Sequence, residues 1–257
     1  MTNFTNSSYS RRNKRAAIVI PVYRDDLDPS ETLSLKSTFY HLGHRDGIFW
    51  LGPDGYDFGK LNNLYGQRKF VTYPPDFFRS VASYSQLLLT EEFYATFAPH
   101  FTHVLIVQTD ATVLRDELDF WVEQPYHYIG APWPNGWSFP LSRIFGETEQ
   151  LRCAANVGNG GFSLRDISAI IDLLREFPGA REDWFNAGNP EDLYISLAAS
   201  ISSFFRVPNI RVASRFSIEL DGTFFSKFGD GPPFGLHAWN KHNKDHYATL
   251  IRECMHN

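Results

Sequence analysis

Residues 16–22 read Ala-Ala-Ile-Val-Ile-Pro-Val, an unbroken β-branched apolar run that predicts a strand buried on both faces of a parallel sheet. A polar turn with Asp25, Asp26 and Asp28 follows. Residues 30–42 then carry Leu33, Leu35, Phe39 and Leu42 at helical spacing, with Ser30 as the expected N-cap and Gly43 as the stop. Residues 46–51 read as a second strand, closed by Gly52-Pro53-Asp54-Gly55. This strand, helix, strand order is the α/β signature. Residues 69–73 predict another strand, and residues 83–97 a helix through Leu87, Leu88, Phe93, Tyr94 and Phe97.

The sharpest strand signal is His103-Val-Leu-Ile-Val107, which ends at Gln108-Thr109-Asp110. Ligands of open α/β sheets bind beyond the carboxyl ends of strands, so the polar triplet stands where a site is expected. Residues 119–122 suggest a helical turn and 126–131 a short strand. Residues 132–155, rich in Trp, Pro and Gly, read as a long, partly mobile loop. Helical spacing returns at 167–177 and 192–204, and the remainder reads as short strands and loops. The pattern shows no internal repeat and no second-domain boundary. It is divided into a flexible basic tail, 1–14, and one domain, 15–257.

Composition narrows the class. A chain of 257 residues, 43% hydrophobic and 16% aromatic, can bury a full core. A formal charge of −5 argues against a general nucleic-acid binder. Two cysteines, Cys153 and Cys254, supply neither a disulfide framework nor a zinc pattern. With no apolar stretch long enough to span a bilayer, the expectation is a soluble cytoplasmic protein. The basic run Arg11, Arg12, Lys14, Arg15 reads as a solvated tail that could also meet anionic lipid at the inner face of a membrane.

Four constellations carry candidate chemistry. Asp110 at the strand end can hold a hard divalent cation against a diphosphate, or simply form a turn. In Asn156-Val-Gly158-Asn159-Gly160-Gly161-Phe-Ser-Leu-Arg165, three glycines within four positions allow close backbone approach beside Asn159. Its spacing is neither a Walker loop nor a Rossmann fingerprint, which excludes nucleotide-hydrolase and dehydrogenase readings. Pro190-Glu191-Asp192 places two acids in a first helical turn, where one can deprotonate an acceptor hydroxyl or both can serve the helix. His237 can complete a metal site or touch a diphosphate, and Trp239 can stack on a sugar.

Taken in order, these motifs resemble an uncharacterised bacterial family of GT-A-like glycosyltransferase domains, from about Ala16 to Trp239. The resemblance rests on Pro21-Val22-Tyr23, Gln108-Thr109-Asp110, Tyr128-Ile-Gly-Ala-Pro-Trp133, the Gly158 to Arg165 turn, Pro190-Glu191-Asp192 and His237-x-Trp239. It implies an α/β, GT-A-like domain with a mostly parallel central sheet flanked by helices. It also implies a nucleotide-sugar-dependent glycosyltransferase, inverting, serving surface polysaccharide or glycan synthesis. Pro21, Val22 and Tyr23 would meet the nucleotide base, and Gln108, Thr109 and Asp110 would occupy the place of the Asp-x-Asp motif. Gly160 and Gly161 would face the donor, while Trp133, Asn159 and Trp239 would face the acceptor. Asp192, with Glu191 second, would be the base. Asp110 and His237 would hold manganese or magnesium. Gln108 departs from the pattern, since it replaces the first acid, and an amide oxygen is a poorer cation ligand than a carboxylate. The alternatives are a sugar nucleotidyltransferase, for which Tyr23-Arg24-Asp25-Asp26 is a poor phosphate cradle, and a non-catalytic carbohydrate-binding module.

Overall fold

The central sheet is assembled from β1 (Ala16–Pro21), β2 (Ile48–Pro53), β3 (Lys69–Tyr73), β4 (His103–Val107), β6 (Tyr128–Ile129) and β9 (Phe162–Asp166), in the spatial order β3-β2-β1-β4-β9-β6. The structure is a computed structural model and describes residues 14–24, 26–140, 142 and 152–256. The first four strands in that order run parallel, and β9 runs antiparallel to both β4 and β6. The sheet is therefore mostly parallel, as expected.

The apolar runs are unbroken because each face is covered. Ala17, Val19, Val104 and Ile106 pack with Tyr94, Phe97, Ile170 and Leu174. Ile18, Ile20, Leu105 and Val107 pack with Leu35, Leu42 and Trp50. Alternate residues of one strand thus serve opposite helical layers. Short strands β5 (Thr112–Val113), β10 (Ser217–Ile218) and β11 (Gly235–Leu236) form a second, three-stranded sheet. A third apolar cluster there gathers Ile218, Leu236, Trp239, Tyr247 and Ile251.

Several elements differ from the sequence expectation, each for a local reason. The first helix runs Pro29–Leu42 and its cap is Asp28, not Ser30. The Asp28 carboxylate accepts from the backbone of Ser30 and Glu31, while Glu31 reaches back to the Asp28 N–H. The helix expected over 83–97 is two helices, Val81–Leu88 and Glu91–Phe97, because Thr90 caps the second by accepting from Phe93 N.

The expected loop over 132–155 is a hairpin. Its arms β7 (Pro132–Pro140) and β8 (Arg152–Val157) pair antiparallel, with a register shift between Pro132 and Trp137. The two arms form a sheet of their own, and Trp137 and Phe139 stack along its face. Residues 141 and 143–151 of that expected loop, residues 1–13 of the expected tail and Asp25 lie outside the described residues. The last third holds the helices Ile210–Phe216 and Lys244–Cys254, where strands and loops were expected. Tyr247, Ala248 and Ile251 bury one face of the latter against Trp239. The helix expected over 192–204 spans Glu191–Ala199. Among the described residues no helix is long and apolar enough to cross a membrane.

Candidate active site

The chain departs from β1 toward β2 on one side, while β4 lies on the other. That is the topological switch point at which open α/β sheets bind ligands. A cavity of about 360 Å³ opens there. Pro21, Val22, Tyr23 and Arg24 line it from the exit of β1, Gln108, Thr109 and Asp110 from the exit of β4, and His237 and Lys241 from the C-terminal segment. The switch point thus brings together three of the six motifs that carry the resemblance, those at Pro21-Val22-Tyr23, Gln108-Thr109-Asp110 and His237.

Glu31, 4% exposed, ties the two strand exits together. One carboxylate oxygen accepts from Arg24 Nη2 and Thr109 Oγ1, each at 2.5 Å, and the other from Asp28 N at 2.9 Å. Tyr84, 5% exposed, also lines the cavity, and its hydroxyl has no hydrogen-bond partner among the described residues. A buried hydroxyl without a partner at a cavity wall is a place for a ligand's polar atom.

At the other end, Asp110 lies between two cationic groups. His237 Nε2 is 3.5 Å from one carboxylate oxygen, and Lys241 Nζ is 3.1 Å from the other. His237 Nδ1 in turn meets Glu219 Oε2 at 3.0 Å. Burial works against a charged imidazole, yet the hydrogen bonds to Asp110 and Glu219 outweigh it and push His237 up to about 10. Burial also opposes a charged Asp110, and again its partners win, holding that carboxyl well below the usual range.

The expected metal pair, Asp110 and His237, is therefore adjacent, but the donor set does not fit a divalent cation. Gln108 contributes no charge, both Asp110 oxygens face cationic groups, and no three His, Cys, Asp or Glu side chains converge on one point among the described residues.

The glycine turn packs against two residues of the cavity wall, Gln108 and His237. A Cβ on Gly161 would run into His237 Nε2 and Gln108 Oε1, so only glycine fits between them. A Cβ on Gly160 would run into Glu191 Oε1. Beneath the turn lies Arg165, fully buried. Its guanidinium donates to Glu191 Oε1 at 2.8 Å, Tyr94 Oη at 3.0 Å, Ser163 Oγ at 3.0 Å and the Gly160 carbonyl at 3.3 Å. Ser85 Oγ donates to the other Glu191 oxygen at 2.8 Å. Glu191, expected as a second candidate base, is instead half of a buried ion pair that holds the turn in place.

Asp192, half-buried, faces the same turn from the other acid position. One oxygen accepts from Asn159 N at 2.9 Å and Gly160 N at 3.2 Å, and the other from Leu193 N at 2.9 Å. Burial and the neighbouring charge of Glu191 push it up to about 6 against those backbone hydrogen bonds.

The expected acceptor contacts are buried instead. Asn159, at φ +60°, spends its side chain on Trp133 Nε1 at 3.0 Å and the Ala131 carbonyl at 3.2 Å. Trp133, 6% exposed, presses its ring on Gly158 and borders a different cavity, of about 640 Å³. Trp239, 1% exposed, donates to Ser34 Oγ at 2.8 Å and offers no face to a sugar. It anchors the turn that carries Lys241.

Sequence reasoning missed Glu31, Tyr84, Glu219 and Lys241, and gave no role to Arg165, the last residue of the glycine motif. Lys241 had a local signal, four residues after His237.

These elements define the fold of GT-A glycosyltransferases. The galactosyltransferase LgtC, solved with donor and acceptor sugar analogues, superposes over 94% of this chain and 95% of its own, with a TM-score of 0.59 and 14% identity. An active-site mutant of LgtC gives the same TM-score at 16% identity, over 93% of this chain and 95% of that one. The apo form of mouse xyloside xylosyltransferase 1 matches 86% of this chain and 97% of its own at a TM-score of 0.52 and 9% identity. No curated protein matches the sequence. The chain belongs to the family described as "Protein of unknown function (DUF5672)", whose sequence model matches residues 67–237.

Proposed function

We propose that the protein is a glycosyltransferase that moves a sugar from a nucleoside-diphosphate donor to an acceptor hydroxyl. The observation that carries this reading is the cavity at the β1/β4 switch point, aromatic at one end and cationic at the other. Tyr23, 47% exposed at the exit of β1, offers a ring for the nucleobase beside Pro21 and Val22. The diphosphate falls toward Asp110, His237 and Lys241. The sugar then lies over Gly160 and Gly161, where the missing side chains leave room, with the Tyr84 hydroxyl as a polar contact.

In this reading Asp192 is the base. It takes the proton from the acceptor hydroxyl as that oxygen bonds to the anomeric carbon. The bond from that carbon to the phosphate oxygen breaks on the opposite face, and its electron pair leaves with the diphosphate, so the anomeric configuration inverts. A carboxylate whose pKa is raised toward neutrality is a more effective base than an ordinary one. The GT-A fold shared with a galactosyltransferase solved with donor and acceptor sugar analogues supports the glycosyltransferase reading.

A panel of UDP-, GDP-, ADP- and dTDP-sugars tests it. One member at a hundredfold its Kd should stabilise the protein by about 2.7 kcal/mol, roughly 5–11 °C in Tm at this size. That donor should be consumed in an Asp192-dependent manner, with the anomeric configuration of the product read by NMR. Binding without turnover would favour a carbohydrate-binding module. Release of pyrophosphate from a nucleoside triphosphate and a sugar phosphate would favour a nucleotidyltransferase.

A further inference from the structure

We propose that Lys241 supplies the counter-charge for the donor's diphosphate, in the role that a divalent cation plays at an Asp-x-Asp site. The proposal rests on the donor-site reading above and adds what neutralises the leaving group.

Charge balance is the first support. Two carboxylates and a divalent cation sum to zero. Here Gln108 stands in place of one carboxylate, and the two acids present, Asp110 and Glu219, are matched by His237 between them and by the Lys241 ammonium at 3.1 Å from Asp110, which sums to zero again without a metal. A divalent ion drawn to Asp110 alone would have to displace Lys241, and it would find one carboxylate where hard cations favour several oxygen ligands.

Donor geometry is the second. His237 cannot serve as the phosphate ligand, because its two ring nitrogens already face Asp110 and Glu219. Lys241 can. Its ammonium has three N–H groups, one directed at Asp110, and its side chain is 64% exposed at the wall of the cavity. Asp110 then acts as a positioning residue that aims Lys241.

The local backbone is the third. Ala238 adopts φ +46°, a left-handed conformation that alanine rarely takes. That kink lets Trp239 insert into the core while His237 and Lys241, on either side of it, both reach the cavity. Arg24 stands on the wall of the same cavity, clamped by Glu31. Besides His237, the cavity therefore carries two cations, Arg24 and Lys241, each held by a buried or half-buried acid.

Isothermal titration of UDP, GDP, ADP and dTDP, each in EDTA and in excess manganese chloride, tests the proposal. At least one diphosphate should bind in EDTA, with less than a twofold change on adding manganese. Lys241→Gln should weaken that binding tenfold or more, Lys241→Arg should retain most of it, and circular dichroism should show both variants folded. Manganese titrated alone should give no saturable heat. A tenfold gain in diphosphate affinity with manganese, saturable binding of manganese alone, or Lys241→Gln binding like the wild type would each overturn the assignment while leaving the donor site standing. If no diphosphate binds in either medium, the donor-site reading fails and the role of Lys241 with it.

Discussion

Replacing Glu191 by Gln tests whether this acid is structural, apart from the neighbouring Asp192 proposed as the base. The change keeps shape and hydrogen-bonding capacity. The amide oxygen can still accept from Arg165, and the amide nitrogen can turn toward Ser85 Oγ, which accepts as readily as it donates. What is lost is one charge beside a guanidinium that is fully buried. Breaking a buried ion pair from one side costs about 3–5 kcal/mol because the other charge remains desolvated. Arg165 keeps Tyr94, Ser163 and the Gly160 carbonyl as acceptors, so we expect the low end, about 3 kcal/mol. For a chain of this size that is a fall in Tm of roughly 6–12 °C. Asp192→Asn is the internal control. Asp192 has its pKa raised in the folded state, so removing its charge relieves a cost to folding, while the amide nitrogen of Asn withdraws one acceptor from the backbone N–H groups of Leu193 or of Asn159 and Gly160, so Tm should fall less than in Glu191→Gln. Thermal and urea unfolding of the two variants side by side decide the matter. If Glu191→Gln unfolds within 1 °C of the wild type, the ion pair does not hold the turn and the division of roles between the two acids is wrong.

Four further outcomes are expected. Stability should fall as pH rises from the ordinary carboxylate range through about 6, because folded Asp192 binds its proton more tightly than the unfolded chain does; a rise of about two units corresponds to about 3 kcal/mol, and urea midpoints across that range should flatten in Asp192→Asn. Transfer should show an acid limb near pH 6, and Asp192→Asn should lose about a hundred- to ten-thousand-fold in kcat with donor affinity near normal, measured by single-turnover kinetics and calorimetry. Gly161→Ala should displace His237 and Gln108 and weaken diphosphate binding about tenfold or more, the scale of a single lost charged contact. Tyr84→Phe should leave Tm near the wild type and weaken nucleotide-sugar binding more than nucleoside-diphosphate binding, read by calorimetry with both ligands.

The part of the fold most legible in the sequence is a strand buried on both faces: His103–Val107 falls at its expected bounds because a strand sealed between two helical layers has to be largely apolar. Lys69–Tyr73, at the exposed edge of the sheet, also falls at its expected bounds. The hairpin of β7 and β8 was hidden because it lies outside the central sheet, in a segment whose Pro and Gly residues read as loop. Its stabilising contacts are cross-strand, which local spacing does not reveal. The C-terminal helix Lys244–Cys254 was missed because its buried face is only three residues wide. At the site, motif order pointed to the right strand ends, whereas side-chain roles depended on distant partners. Glu191 and Asp192 are neighbours of the same chemical type, and only Ser85 and Arg165, 106 and 26 positions away, distinguish them. Trp239 resembled a sugar platform because stacking tryptophans and core tryptophans are identical in sequence.

Those two adjacent acids explain why the Gly158 to Arg165 turn and the Pro190-Glu191-Asp192 motif occur together. Adjacent helical residues point about 100° apart, so one acid turns inward to Arg165 while the other meets the backbone N–H groups of Asn159 and Gly160. Arg165 closes the circuit by donating to the Gly160 carbonyl. The turn is thereby gripped through its N–H groups by Asp192 and through its carbonyl by Arg165, and both grips depend on the same helix start. With the backbone held from below, Gly161 can stay bare between His237 and Gln108 without collapsing into the cavity. Burial beside a charged neighbour also sets Asp192 apart from an ordinary carboxylate. Glu191 is committed to its guanidinium, and its field raises Asp192 toward the range in which a carboxylate exchanges protons near neutral pH. One packing arrangement thus holds the turn behind Gln108 and His237 and raises the acid beside it.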